Sequence, residues 1–185
     1  ERSAVERIVF LRNHWFCIRR KHSPIHRKAK ELSVMNSAIK YRLYPTSEQK
    51  IMFAKTFGCC RKAYNLMLSE KIESYKTTGR FVAVTPAKYK KDFPYLKEVD
   101  SLALANVQLN LQSAFRNHFD RNRRKKTGFP KFKSAKHSRK SYTTNNQNGT
   151  VAIIDSRYIR LPKTGKVRAV IHRVPGTDWK LRSAT

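Results

Sequence analysis

The 185 residues include 41 Lys and Arg against 12 Asp and Glu, a formal net charge of +29, and a compact domain so charged repels itself unless a polyanion supplies the counter-charge. No apolar run is long enough to span a bilayer and no single amphipathic helix gathers the basic residues, so the composition speaks against a membrane partner and for nucleic acid. An apolar content of 39% with 10 Phe and 8 Tyr excludes full disorder, and three cysteines, Cys17 alone and Cys59 beside Cys60, are too few and too badly spaced for a disulfide framework.

Residues 1–34 begin without Met, carry no small-residue cleavage site and show no clean hydrophobic period. They read as a basic N-terminal extension, upstream of a natural start at Met35, and receive no function. His14, Cys17, His22 and His26 lie close together but lack the paired spacing of a zinc site, so no metal is expected there. From Ala38 to Tyr44 apolar residues alternate with basic or polar ones, the pattern of a half-buried strand, and Pro45 ends it. Thr46 with Gln49 forms a capping box that opens a helix. Its stripe of Phe53, Phe57, Cys60, Tyr64, Leu68, Ile72 and Tyr75 runs to Gly79, with Gly58 a point where it can break in two.

Residues 80–99, punctuated by Pro86 and Pro94, read as a loop with short helical turns. Asp100 is a natural N-cap for a second long helix. Leu104, Val107, Leu111, Phe115 and Phe119 mark its apolar face, and Leu102, Ala105 and Leu109 widen it. Half of residues 121–140 are then basic and none is acidic. Strands follow at 151–154, 158–161 and 167–171, split by turns at Asp155-Ser156, 162–165 and 175–176. A lone first strand must return to pair with the later ones for its edges to be covered. The fold class is therefore α+β, a small β-barrel interrupted by an inserted helical lobe, with the basic run where the helices return to the strands.

Tyr41-Arg42-Leu43-Tyr44-Pro45-Thr46 with Glu48-Gln49, Gly58-Cys59-Cys60-Arg61-Lys62-Ala63-Tyr64-Asn65, Leu104-Ala105-Asn106, Gly128-Phe129-Pro130-Lys131-Phe132-Lys133 and Ile159-Arg160-Leu161-Pro162-Lys163-Thr164-Gly165 occur in this order. Together, from Met35 to the end, they resemble the amino-terminal half of TnpB, the OrfB-type RNA-guided nuclease of bacterial transposons, related to compact type V CRISPR effectors. The resemblance implies a wedge-type, OB-like β-barrel from residues 35–45 plus 129–185, incomplete at its C-terminus, and a helical recognition lobe at 46–128. It implies as partners a guide RNA and double-stranded DNA carrying a short motif beside the target, in the nucleoid-associated bacterial cytoplasm, and leaves the oligomeric state open. Sequence reading is delegated to base pairing and the protein supplies backbone-directed charge.

In that family, cleavage belongs to a RuvC-like domain whose carboxylates hold metal ions. After Asp100 only Asp120, Asp155 and Asp178 remain and no Glu, so the chain alone is not expected to be an enzyme. Mg and Zn belong to a full-length parent, with no cofactor in this chain. Ile153-Ile154-Asp155 imitates a strand ending in a catalytic Asp, but Asp-Ser between two apolar runs is hairpin chemistry. Phosphate contacts are expected from Arg121, Arg123, Arg124, Lys125 and Lys126, with Lys131, Lys133, Lys136, Arg139 and Lys140 on the same surface and Phe129 and Phe132 as packing or stacking anchors. Arg61 and Lys62, nearer the face opposite the helix stripe, are expected to contact the nucleic-acid backbone as well, Tyr64 belongs to the core, and Asn65 either bonds a base edge or caps local backbone. The family's DNA-motif contacts fall on Val84, Thr85, Ser101, Ala105 and Asn106, of which Asn106 fits inward helix packing equally well. A nuclease-free RNA-binding protein of ribosomal type and a DNA-binding repressor with a helix-turn-helix-like lobe are the alternatives.

Overall fold

A computed structural model describes residues 15–20, 36–120, 122, 127–176 and 179–185, with side chains from Ala38 onward. The chain divides into two units, one of Glu1–Thr46 with Asn145–Thr185 and one of Ser47–Thr144.

The first unit is built from β1 (Trp15–Arg20), β2 (Asn36–Lys40), β3 (Arg42–Tyr44), β4 (Thr144–Asn145), β5 (Ala152–Ile154), β6 (Tyr158–Leu161), β7 (Gly165–Val170) and β8 (Trp179–Ala184). These form two four-stranded sheets, ordered β2-β1-β8-β4 and β3-β7-β6-β5. Among the described residues they do not close into the expected barrel. The predicted first strand is in fact two, separated by Tyr41, one serving each sheet. Tyr41 is buried, and its hydroxyl donates to the Arg173 carbonyl at 2.6 Å. The return of the first strand is as expected: β3 pairs antiparallel with β7, Leu43 opposite Ala169. A second correction concerns residues 1–34, given no element above. Trp15–Arg20 is an inner strand, paired antiparallel with both β2 and β8.

Alternation explains the second sheet. Leu43, Ile159, Leu161, Val167 and Ala169 are buried, whereas Arg42, Tyr44, Tyr158, Arg160 and Arg168 point the other way and are exposed. Asp155 and Ser156 both adopt positive φ, 51° and 50°, and the Arg157 amide donates to the Ile154 carbonyl at 3.2 Å. Asp155 is thus a turn residue, consistent with the short polar side chains that tolerate that conformation.

The second unit is helical: α1 (Ser47–Thr78), α2 (Pro86–Tyr89), a 3-10 turn at Pro94–Lys97, and α3 (Ser101–Phe119). Helix α1 starts immediately after Thr46 and runs unbroken through Gly58, so the break considered there does not occur. It ends where the stripe does, at Gly79, whose φ of 69° lets its amide reach the Tyr75 carbonyl at 2.9 Å. Phe53, Phe57, Cys60, Tyr64 and Leu68 are buried against Ala103, Leu104, Val107, Leu111 and Phe115 of α3. Ala105 and Leu109, expected to widen the α3 face, are exposed, and the narrower stripe suffices because α3 meets a single long helix. Asp100 caps α3 as predicted, accepting from the Leu102 and Ala103 amides at 3.1 and 3.2 Å, and it also accepts from the Thr144 hydroxyl. Residues 129–144, assigned above to the strands, pack on these helices instead. Phe129 meets Phe115 edge-on, and Tyr142 sits between Phe53 and Phe57.

Candidate nucleic-acid interface

A side chain of α1 clamps the backbone of the returning segment. Asn65 donates from Nδ2 to the Lys133 carbonyl at 2.9 Å and accepts the Lys133 amide on Oδ1 at 2.8 Å. Asn65 thus bonds backbone, as one of the two readings had it, but backbone 68 residues away and not the local backbone expected. It also places the Lys133 ammonium 4.2 Å over the Tyr64 ring. Burial holds that ammonium below the usual lysine range, with the neighbouring Cys60 opposing the shift. Cys60 itself is pushed up to about 12, first by burial and then by Cys59, so its thiol is neutral and poorly nucleophilic. A turn follows, in which the Ser134 hydroxyl accepts from the His137 amide at 3.0 Å.

Between this segment, α1 and α3 lies a cleft of about 360 Å³, lined by Arg61, Asn106, Asn110, Lys133, Arg139 and Lys140 among others. Four of these six side chains are cationic and no acidic residue lines the cleft, so it is a local concentration of positive potential bordered by amides able to donate or accept hydrogen bonds. Half-buried Arg61 supplies its floor, and Arg139 and Lys140 are exposed at its rim.

The structure thus brings together Arg61, Lys133, Arg139, Lys140 and Asn106. Lys62 faces elsewhere, its ammonium 4.8 Å over the Phe93 ring. Lys131, Lys136 and Phe132 are exposed outside the cleft. Phe129 is a packing anchor, edge-on to both Phe115 and His118. Arg121, Arg123, Arg124, Lys125 and Lys126 lie outside the described residues. The expected DNA-motif set is unevenly exposed. Val84 is buried, 3% exposed, so its side chain does not present itself at the surface, while Thr85 and Ala105 are exposed and Ser101 accepts from Lys90 at 2.9 Å. Asn106 donates to the Leu102 carbonyl at 2.9 Å while lining the cleft. Asn110 and Tyr142 were missed. Asn110 stands one turn beyond Asn106 on the same helix face, a spacing visible in the sequence, whereas the place of Tyr142 depends on the long-range fold.

Among the described residues no three His, Cys, Asp or Glu side chains are grouped to hold a metal ion, and no helix is long and apolar enough to cross a membrane.

These features define a strongly basic protein of mixed helix and sheet whose cationic cleft is lined by two long helices and the segment that returns across them. Residues 35–80, which span β2, β3 and α1, match the helix-turn-helix domain of OrfB proteins of the IS605 type. The chain is 37% identical over 111 residues to a Streptomyces pristinaespiralis protein named "Putative RNA-guided DNA endonuclease", covering 56% of this chain and 27% of that one. It is 35% identical over 115 residues to "Virulence protein VsdF" of Salmonella dublin, covering 54% of this chain and 93% of that one. The chain belongs to the TnpB family of OrfB-type proteins. It spans about a quarter of the length of its Streptomyces relative.

Proposed function

We propose that this chain is a nucleic-acid-binding part of a TnpB-like RNA-guided DNA endonuclease, and that it grips the sugar-phosphate backbone of a guide RNA and of the duplex beside the target. The observation that carries this is the acid-free cleft of Arg61, Lys133, Arg139 and Lys140 on a chain of charge +29. Cations gathered around a concave site neutralise phosphates and release their counterions. Arg121, Arg123, Arg124, Lys125 and Lys126 and the exposed Lys131 and Lys136 extend the same role. Thr85, Ser101, Ala105 and Asn106 are the remaining candidates for contact with the motif next to the target. In this reading the two sheets correspond to the family's wedge domain, and the helical unit to its recognition lobe. Cleavage, with its Mg and Zn, belongs to a RuvC-like part of a longer parent.

One observation favours a second reading, a binding protein without a nuclease. The alignment with VsdF takes in 93% of that protein, which leaves little of it for a further catalytic domain.

The test is a salt titration of binding to structured RNA and to duplex DNA. The four cleft cations alone contribute about −3 to −4 to the log–log slope on a duplex. Replacing Arg61, Arg139 and Lys140 by Gln should make the slope shallower by about 2.7. A shallow slope in the wild-type chain, or one the triple variant leaves unchanged, would defeat the proposal.

A further inference from the structure

The solvent face of the second sheet carries a pattern that the cleft does not explain. Tyr44 of β3 lies opposite Arg168 of β7, and Arg168 lies opposite Tyr158 of β6. Directly paired residues share a face, so the three form one row across three strands, tyrosine, arginine, tyrosine. Both rings are open to solvent, Tyr44 at 45% and Tyr158 at 38% exposure. The Arg42 guanidinium lies 5.4 Å from the Tyr44 ring centre. Together with Arg157, Ala169 and Val170 the row lines a depression of about 540 Å³.

We infer that this row is a stacking site for unpaired bases of single-stranded nucleic acid, with Arg168 and Arg157 meeting the phosphates. The inference rests on the nucleic-acid reading above and adds a second, chemically different contact to it. Spacing supports the choice. Strands lie about 4.8 Å apart, so Tyr44 and Tyr158 stand roughly 10 Å apart along the row. Arg168 stands between them, so each ring can take one base with the guanidinium placed between the two bases. Charge supports it as well, because Arg42, Lys166, Arg168 and Arg160 point outward from β3, β6 and β7, and those strands contain no acidic residue. Arg160 is already engaged, donating to the Gly149 carbonyl at 2.7 Å, whereas Arg168, at the centre of the row, and Arg157 line the depression itself. A duplex presents its bases already stacked on one another and gains nothing from the rings, so the site selects single strands.

The experiment compares binding of the full chain to fluorescein-labelled oligouridylate and to a duplex of equal length by fluorescence anisotropy. Tyr44→Ala and Tyr158→Ala should each weaken oligouridylate binding roughly 5- to 150-fold and leave duplex binding unchanged, and Tyr44→Phe and Tyr158→Phe should retain wild-type affinity. Arg168→Gln should lower the salt slope by about 0.7. Oligouridylate carrying 4-thiouridine, irradiated with the wild-type chain, should form adducts on peptides containing Tyr44 or Tyr158, a readout that stands even if an alanine variant does not fold. Alanine variants that bind like wild type, or adducts confined to residues 47–144, would overturn the inference while sparing the cleft. Failure of the wild-type chain to bind either nucleic acid would overturn both.

Discussion

Asn65 shows how a single side chain positions a basic segment that has little regular structure of its own. Its amide satisfies both the N–H and the C=O of Lys133, across 68 residues of sequence. A backbone pair left without partners there would need water, and the segment would lose its register on α1. Asn65→Ala should therefore cost about 1–3 kcal/mol, measured by urea unfolding, and should raise amide exchange at Lys133 more than at the helix centre. Protection at Lys133 equal to wild type would show that packing by Phe129 and Tyr142 holds the segment without the clamp. The lysine itself is not an ordinary surface cation, since its ammonium rests on the Tyr64 ring and burial favours its neutral form.

Helix α1 is the frame on which α2, α3 and the returning segment are assembled, and two of its features can be tested. A Cβ built at Gly58 meets nothing within 4 Å, and Gly58 is not among the positive-φ residues. Gly58→Ala should then stabilise the chain by about 0.5–1 kcal/mol, because glycine loses more backbone entropy in a helix interior. A lower melting temperature for the variant would contradict the open space seen there. Glu70 joins α1 to α2 by accepting from the Lys88 ammonium at 2.6 Å and the Tyr89 hydroxyl at 2.5 Å. Those two hydrogen bonds hold its carboxyl below the usual glutamate value of 4.5. A depressed carboxylate contributes stability that is present above about pH 4.5 and is lost as pH falls through its folded value. Wild type and Glu70→Gln should accordingly differ in urea midpoint at pH 7 and converge as pH falls from 4.5 through the folded value. A gap that stays constant down to pH 3 would assign the effect to packing.

For the chain as a whole, the strand at Trp15–Arg20 changes which residues the protein needs. It is hydrogen-bonded on both sides, to β2 and to β8, so its removal would expose two sheet edges at once, and exposed edges promote aggregation. A chain that starts at Met35 should melt at a lower temperature than residues 1–185 and form larger species in light scattering. Equal melting and a monodisperse shorter chain would show that β1 is dispensable.

The sequence by itself determined what local spacing encodes. The α1 stripe from Phe53 to Leu68, the Asp100 cap, the Gly79 stop and the Asp155-Ser156 turn depend on contacts or dihedral preferences within a few residues, and each stands where its pattern placed it, whereas Tyr75 at the end of the predicted stripe is 52% exposed. Family membership was legible for the same reason, in short motifs kept in order. Tertiary structure alone decided the rest. It split the first strand at Tyr41 between two sheets, seated Trp15–Arg20 between β2 and β8, bound Lys133 to Asn65, and buried Val84 while leaving Ala105 and Leu109 in solvent. Each of these depends on a partner tens of residues away, and a periodic pattern says which face of an element is apolar without saying what will cover it.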